Sequence, residues 1–199
     1  MINRNSVLTV VVGVFALSAI AAADVTNKRV LDESASGENW FLKGGRFDGQ
    51  HYSPLAQIDE DNISDLGLEW TVDLPTQDGI ATTPIVIDGV IYLSAAYSVV
   101  FAVDAKNGEI LWTYDPGVRG KAGNDRGYSW YSRINRGVAV WGDSVYGITA
   151  DCRLISLDAA TGDLQWTKQT CDTAQGYKIS DSPYVGGGKV FVGNAGSET

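Results

Sequence analysis

The side chains whose type and spacing most directly suggest chemistry are two cysteines. Cys152 and Cys171 are the only cysteines in the chain, 19 residues apart. In an oxidising compartment such a pair predicts a disulfide, which in the chain-entropy model stabilises the fold by about 3 kcal/mol. Two free buried thiols are the alternative. A zinc site is not expected, because His51 is the only histidine and no ligand cluster accompanies it in the sequence.

The N-terminus has the pattern of a secretory signal peptide. A single positive charge precedes an apolar run from Val7 to Ile20, and three alanines then stand before Asp24. We therefore expect residues 1–23 to be removed and residues 24–199 to reside in the periplasm. The run is short beside the roughly 20 residues of a bilayer-spanning helix, although an uncleaved anchor is the alternative. No cysteine lies near the cleavage point, so a lipoprotein is not expected.

The charge balance excludes one class of partner. The chain carries 24 acidic and 15 basic side chains, a formal net charge of −9. Such a surface repels the phosphate backbone, so nucleic acid is not an expected partner. The same charge is ordinary for a soluble periplasmic protein and indicates nothing about a substrate.

The elements that would position any site are short β runs that repeat along the chain. Hairpin signals occur at Asp88-Gly89 and again at Gly142-Asp143. A turn and the strand after it also recur 54 residues later: Asp104, Ala105, Gly108 and Trp112 correspond to Asp158, Ala159, Gly162 and Trp166. A third unit begins at Pro183. Trp70, within Leu68–Val72, resembles the end strand of a preceding unit.

This repeat predicts an all-β fold, a β-propeller with four strands in each unit. A generic β-sandwich would not explain the recurring Asp-Ala-x-x-Gly-x-x-x-Trp. In a propeller each Trp packs between neighbouring sheets, and the Gly permits the tight turn. The units present cannot close a ring, and an open propeller exposes strand edges. We therefore expect residues 24–199 to be the N-terminal part of a truncated propeller domain.

Several segments together resemble one known family. They are Asn39-Trp40, Gly45–Leu55, Ile63–Trp70, Asn135–Ala139 and Gly193–Glu198, beside the repeated turn with its Trp. From about Asn39 to the last residue, the chain resembles the pyrroloquinoline quinone (PQQ) dependent alcohol dehydrogenases, the quinoproteins. The resemblance implies an eight-bladed propeller with tryptophan-docking repeats, of which this chain would supply about three to four blades.

In that family PQQ lies near the propeller axis and is held by polar side chains and a calcium ion. The resemblance gives Arg136 the role of pairing with PQQ carboxylates and donating to its carbonyl oxygens. A solvated surface charge is the alternative for this arginine. Ser180 stands where the family has a hydroxyl that contacts PQQ, although a serine there is equally suited to a turn.

The last residues resemble the segment that binds the metal and approaches the cofactor. Glu198 corresponds to the family's first calcium ligand, and calcium would polarise the quinone. An exposed terminal charge is the alternative. The backbone of Ala195, Gly196 and Ser197 is slender enough to approach PQQ closely.

Two positions depart from the family pattern. Trp130 and Tyr131 stand where a vicinal pair of cysteines covers one face of PQQ. Their rings would either stack over the quinone or pack within a loop that holds no cofactor. Ala81 stands where the family has a glutamate that contacts the cofactor.

The resemblance implies a periplasmic oxidoreductase that oxidises an alcohol or polyol with PQQ and calcium. Electrons would pass to cytochrome c or ubiquinone, and peripheral attachment to a membrane is compatible with this role. The catalytic base would be an Asp beyond residue 199, so the fragment alone should be inactive. A non-catalytic propeller serving as a binding or assembly scaffold is the main alternative, and a glycan-binding propeller is another. The Asn-Arg-Gly and Gly-Ser-Glu segments favour the enzyme, because a scaffold needs neither group.

Overall fold

The structure, a computed structural model, describes residues 23–76, 78–118 and 133–194 and consists mainly of antiparallel β-hairpins. A short helix, α1 (Asn27–Glu33), precedes the strands. Single 3₁₀ turns lie at Ile63–Asp65, Ala96–Ser98 and Thr173–Gln175. The strands are β1 (Ile85–Ile87), β2 (Val90–Ser94), β3 (Val100–Asp104), β4 (Ile110–Tyr114), β5 (Ala139–Trp141), β6 (Ser144–Ile148), β7 (Arg153–Asp158), β8 (Leu164–Gln169), β9 (Tyr184–Gly186) and β10 (Lys189–Phe191).

The strands form two sheets of identical topology, which confirms the repeat. The first sheet has the order β1-β2-β3-β4 and is called blade one, and the second has the order β5-β6-β7-β8 and is called blade two. A third hairpin pairs β9 with β10. At the turn between β1 and β2, Asp88 and Gly89 both have positive φ, 51° and 77°. A two-residue hairpin requires this conformation to match the twist of its strands. The propeller is thus confirmed, and its total of eight blades stays a prediction.

The repeated tryptophans join each unit to the next. The Trp70 indole N–H donates to Ala105 O at 3.1 Å, and the Trp112 indole N–H donates to Ala159 O at 3.0 Å. Gly162 lies flat against Trp112, since a Cβ there would come within 2.7 Å of the indole ring. The predicted packing role is therefore confirmed for Trp112, Gly108 and Gly162, whereas Trp166 is 42% exposed within the described residues.

The segment around Trp70 differs in one respect from its prediction. Leu68–Val72 was expected to form an end strand, but residues 66–74 do not lie in a strand. A strand is defined by a ladder to its neighbour, and no other strand of a preceding unit lies among the described residues. Trp70 nevertheless docks on blade one as a strand-borne Trp would.

Blades one and two share a continuous apolar core. Ile85, Ile87 and Tyr92 of blade one are almost fully buried, as are Ile155 and Leu157 of blade two. Burying side chains of this size stabilises the fold by about 1.5–3 kcal/mol each. Just before β1 and β5, the two blades also meet in a parallel bridge between Thr83 and Gly137.

The N-terminal segment is fastened to both blades. Val25 forms a β-bridge with Gly142 in blade two, and Trp40 forms one with Val86 in blade one. Between them lies α1, where the Arg29 guanidinium donates to Glu33 on its own helix and to Asp88 at a turn of blade one. The segment therefore belongs to the folded domain and lies along its innermost strand.

The predicted disulfide between Cys152 and Cys171 is present. It joins the start of β7 to the segment that follows β8. Cys152 is fully buried and packs in a small cluster with Ile148, Leu154 and Ile179. The bridge thus fixes the route by which the chain leaves blade two for the third hairpin.

The leader predicted at residues 1–23 lies almost entirely outside the described residues, which begin at residue 23. Within residues 23–76, 78–118 and 133–194, no helix has the length and apolar character needed to cross a membrane. Export and cleavage therefore stay predictions.

Candidate functional site

Three chain segments run side by side where they enter the innermost strands. The Thr83 N–H donates to Arg136 O at 3.1 Å, and the Arg136 N–H donates to Ser180 O at 3.0 Å. Each residue stands a few positions before β1, β5 or β9. We call this set of Thr83, Arg136 and Ser180 the inner ladder. Arg136 occupies its middle rung, so the backbone of Arg136 is held from both sides.

A buried asparagine fixes the inner ladder from beneath. Asn135 is only 3% exposed, and its Oδ1 accepts a hydrogen bond of 2.7 Å from Ser94 Oγ. Its Nδ2 donates to Ile148 O at 2.7 Å. Asn135 thereby connects β2 of blade one with β6 of blade two, directly behind Arg136.

The glycine that follows Arg136 is required by a close approach. A Cβ on Gly137 would lie 3.0 Å from the carbonyl oxygen of Thr83, tighter than nearly all real contacts. The Asn-Arg-Gly motif therefore has a structural explanation at each residue. Asn135 ties the blades together, Gly137 allows the two strands to meet, and Arg136 between them points an exposed side chain outward.

The structure brings together two of the residues predicted to bind the cofactor. Arg136 Nη1 donates to Ser180 Oγ at 3.1 Å, although 44 residues separate them. A guanidinium carries five N–H donors, so this single bond leaves donors for a ligand. The Ser180 hydroxyl, in turn, still has a proton to donate. The pair therefore offers a cation and a hydroxyl on one exposed edge.

A carboxylate and a second cation lie beside this pair. Lys43 Nζ lies 2.8 Å from Asp181 Oδ1, which also accepts the Ser182 N–H at 2.9 Å. Partial burial raises the pKa of Asp181, but the hydrogen bonds from Lys43 and Ser182 and the charges of Lys43 and Arg136 outweigh it. The net effect is a pKa of Asp181 below its usual value.

Lys43 and Asp181 were not identified from the sequence. They are 138 residues apart, and a lone Lys or Asp in a loop has no distinctive spacing. Asn135 was noted only as the context of Arg136. Its position in the Asn-Arg-Gly motif was the one signal available in the sequence. Its burial and its three hydrogen-bond partners can be recognised only once the fold is known.

The N-terminal segment and the inner strands enclose a cleft. Its volume is about 340 Å³, and its lining includes Lys43, Arg46 and His51 beside Ile85 and Ala139 of the two inner strands. The floor is therefore apolar and the N-terminal rim is basic.

Of the remaining residues considered for the cofactor site, only Ala81 lies among the described residues. Ala81 is exposed two residues before Thr83, so no carboxylate occupies that position at the inner ladder. The other predicted site residues lie outside the described residues: Trp130, Tyr131, Ala195, Gly196, Ser197 and Glu198. Within the described part of the chain, no three His, Cys, Asp or Glu residues group to hold a metal ion. The calcium prediction thus depends on Glu198.

The donor set of the inner ladder suits PQQ. PQQ is a flat molecule with three carboxylates and two adjacent quinone carbonyls, all of which accept hydrogen bonds. An exposed guanidinium and a hydroxyl are the partners that such oxygens prefer.

Comparison with known proteins identifies the family of the chain. The family model described as the PQQ, glucose/ethanol/alcohol dehydrogenase, β-propeller domain matches residues 40–185. Quinohemoprotein alcohol dehydrogenase ADH IIB of Pseudomonas putida is 44% identical over 180 residues, 90% of this chain and 26% of that protein. The 1-butanol dehydrogenase (cytochrome c) of Thauera butanivorans is 44% identical over 165 residues, 82% of this chain and 23% of that protein.

A solved structure gives the same result. The crystal structure of quinohemoprotein alcohol dehydrogenase from Comamonas testosteroni superposes with a TM-score of 0.79 at 37% identity, covering 91% of this chain and 27% of that one. The chain thus spans about a quarter of the length of the curated relatives it matches. With the family model matching well over half of its residues, the chain belongs to the PQQ-dependent glucose/ethanol/alcohol dehydrogenase β-propeller family.

Proposed function

We propose that this chain forms part of an exported quinoprotein dehydrogenase that oxidises an alcohol or polyol and passes the electrons to cytochrome c or a membrane quinone. The observation that carries the proposal is the contact between Arg136 and Ser180 on the inner ladder. It places a cation and a hydroxyl from two different segments on one exposed edge. Relatives named as alcohol dehydrogenases, one of them cytochrome c linked, support the reaction class.

PQQ, when bound, accepts the two electrons that leave the alcohol carbon. The residues of this chain would hold and orient it. Arg136 would pair with a carboxylate or quinone oxygen, and its backbone bonds to Thr83 and Ser180 would fix where that charge lies. Ser180 would donate its hydroxyl proton to another acceptor of the cofactor. The base that takes the substrate proton is proposed to be an Asp in a later blade.

Two further parts of the proposal concern the metal and the location. We propose that Glu198 supplies a first oxygen ligand to a calcium ion, which prefers carboxylate and amide oxygens. We also propose that residues 1–23 direct export to the periplasm and are then removed. Intact-mass measurement of the periplasmic protein, with an N-terminus at Asp24, is the expected result for the second part.

The central test is PQQ binding by the full-length protein, followed by absorbance in the presence of calcium. We expect saturable binding that weakens about tenfold to a hundredfold in Arg136→Gln, because hydrogen bonds to charged groups are worth about 1.5–3 kcal/mol. Lys168→Gln is the matched control. It removes one positive charge from the exposed strand β8 and should leave affinity unchanged.

Two outcomes would count against the proposal. If the folded full-length protein failed to bind PQQ with calcium present, the enzyme would be excluded and the scaffold alternative favoured. If PQQ bound equally well to the wild type and to Arg136→Gln, the inner ladder would not be the cofactor site. Chelation of calcium before the titration tests the metal separately, and we expect it to weaken PQQ binding.

A further inference from the structure

The carboxylate of Asp181 pairs with Lys43 and follows Ser180, the residue that accepts a hydrogen bond from Arg136. Lys43, on the N-terminal segment, contacts Asp181 Oδ1 at 2.8 Å. Arg136, on the neighbouring rung of the inner ladder, is close enough to lower the pKa of Asp181 by its charge. The side chain of Asp181 is 53% exposed and that of Lys43 is 30% exposed. Asp181 is thus an anion on the edge where an anionic cofactor is proposed to bind.

Such an anion would act on Arg136 in one of two ways. Without a partner of its own, the Asp181 carboxylate would attract the guanidinium and compete with a cofactor carboxylate for the same N–H donors. With its charge already balanced, it would leave those donors directed to the ligand. In the structure the charge of Asp181 is balanced, because Lys43 Nζ donates to Asp181 Oδ1 and Arg136 Nη1 donates to Ser180 Oγ instead.

We infer that Lys43 is a positioning residue for the cofactor site: it balances Asp181 and thereby leaves Arg136 to PQQ. This inference rests on the proposed function. Lys43 is well placed for the role, because its segment is fixed to blade one by the Trp40–Val86 bridge and by a tight turn in which the Gly45 N–H donates to Leu42 O at 2.7 Å. The N-terminal segment is then part of the site as well as part of the fold.

The test is a double-mutant cycle read as PQQ affinity in the full-length protein. We expect Lys43→Gln to weaken PQQ binding by about threefold to fivefold, the scale of a half-exposed ion pair. Asp181→Asn should leave affinity unchanged or slightly higher. The double variant Lys43→Gln with Asp181→Asn should return to within about twofold of the wild type, since the competing carboxylate is gone.

Two further variants separate charge from shape. Lys43→Arg retains the cation and should keep wild-type affinity. Lys106→Gln is the matched control, because it removes an exposed lysine at the β3–β4 turn, at the opposite end of the strands. Thermal unfolding of each variant checks that the fold is retained, and the surface positions of both side chains make this the expected result.

The outcomes are distinct. Failure of the wild type to bind PQQ overturns the proposed function itself. If the wild type binds and Lys43→Gln has no effect, Lys43 has no positioning role. If Lys43→Gln and the double variant are equally weak, Lys43 contacts the cofactor directly and the inference is wrong. Recovery in the double variant supports it.

Discussion

At the scale of single residues, hydrogen bonding in the core distinguishes two serines of the same hairpin. Ser94 and Ser98 are both buried, at 1% and 2% exposed. Ser94 Oγ donates to Asn135 and lies 3.2 Å from Thr82 Oγ1. Among the described residues, nothing pairs with Ser98 Oγ. Ser94 therefore belongs to the network behind Arg136, whereas Ser98 carries a desolvated hydroxyl.

These two serines give a matched prediction. Ser94→Ala should lower the free energy of unfolding by about 1 kcal/mol, because it removes the 2.7 Å hydrogen bond to the buried Asn135 Oδ1, which then keeps only the Gly137 N–H. Ser98→Ala should change it by less than about 0.5 kcal/mol or raise it, because no partner is lost. Denaturant unfolding of the full-length protein measures both. Equal destabilisation by the two changes would mean that Ser98 has a partner in another part of the chain.

At the scale of elements, a blade docks through a tryptophan on a turn of the next blade. Trp112 leaves blade one at β4 and packs on the Asp158–Gly162 turn of blade two. Trp70 does the same to the Asp104–Gly108 turn of blade one. Each contact combines a hydrogen bond to a carbonyl with a ring lying on a glycine. The turns are therefore docking surfaces as well as connections.

Gly162 and Gly142 allow this contact to be measured. Both have positive φ, 76° and 57°, so alanine at either costs about 1 kcal/mol in backbone strain. At Gly162 the added Cβ also meets Trp112 at 2.7 Å, whereas at Gly142 nothing lies within 4 Å. Gly162→Ala should therefore destabilise by a further 1–3 kcal/mol or so and shift the tryptophan fluorescence. Equal losses of stability in the two variants would exclude a tight docking contact.

At the scale of the whole molecule, the blades are coupled through groups that neither blade buries alone. Tyr92 of blade one is 1% exposed, and its hydroxyl donates to Ala159 O of blade two at 3.2 Å. Burial, followed by the charges of Asp88 and Asp158, raises the pKa of Tyr92 to about 12. The neutral phenol is thus a property of the assembled pair of blades.

This pKa predicts a loss of stability in alkali. An unfolded tyrosine titrates near pH 10, so the contribution of Tyr92 is complete below pH 10 or so and is lost as pH rises toward 12. Two pKa units correspond to a loss of about 3 kcal/mol. The free energy of unfolding, measured with denaturant from pH 8 to 12, should fall less steeply with pH in Tyr92→Phe than in the wild type. Tyr52→Phe, at a side chain 65% exposed, should keep the wild-type slope. An unchanged slope in Tyr92→Phe would contradict the assignment.

Much of the fold could be predicted from the sequence, because it is encoded in local repeats. The Asp-Gly hairpins, the Asp-Ala-x-x-Gly turns and the spacing of Trp112 and Trp166 each specify their own conformation. The Cys152–Cys171 bridge was also predictable, since these are the only two cysteines. What repeats along a chain can be identified without knowing how distant segments meet.

The site was only half predictable for the opposite reason. Arg136 and Ser180 were identified by resemblance, but their contact with one another depends on two strand entrances lying side by side. Lys43 could not be identified at all, because its partner lies in a segment 138 residues away and neither residue has a motif. Long-range pairing of ordinary charged residues is decided by topology, and local patterns do not contain it.

The tryptophan contacts have a direction, and that direction implies an order of assembly. Trp70 and Trp112 each dock on a turn that comes later in the chain, whereas within the described residues Trp166 meets no such turn and is 42% exposed. A chain that emerges from a ribosome or a translocon N-terminus first therefore completes each interface only when the following blade arrives. We expect the blades of the nascent propeller to dock one after another. At each stage the Trp of the most recently folded blade remains undocked until the next blade folds.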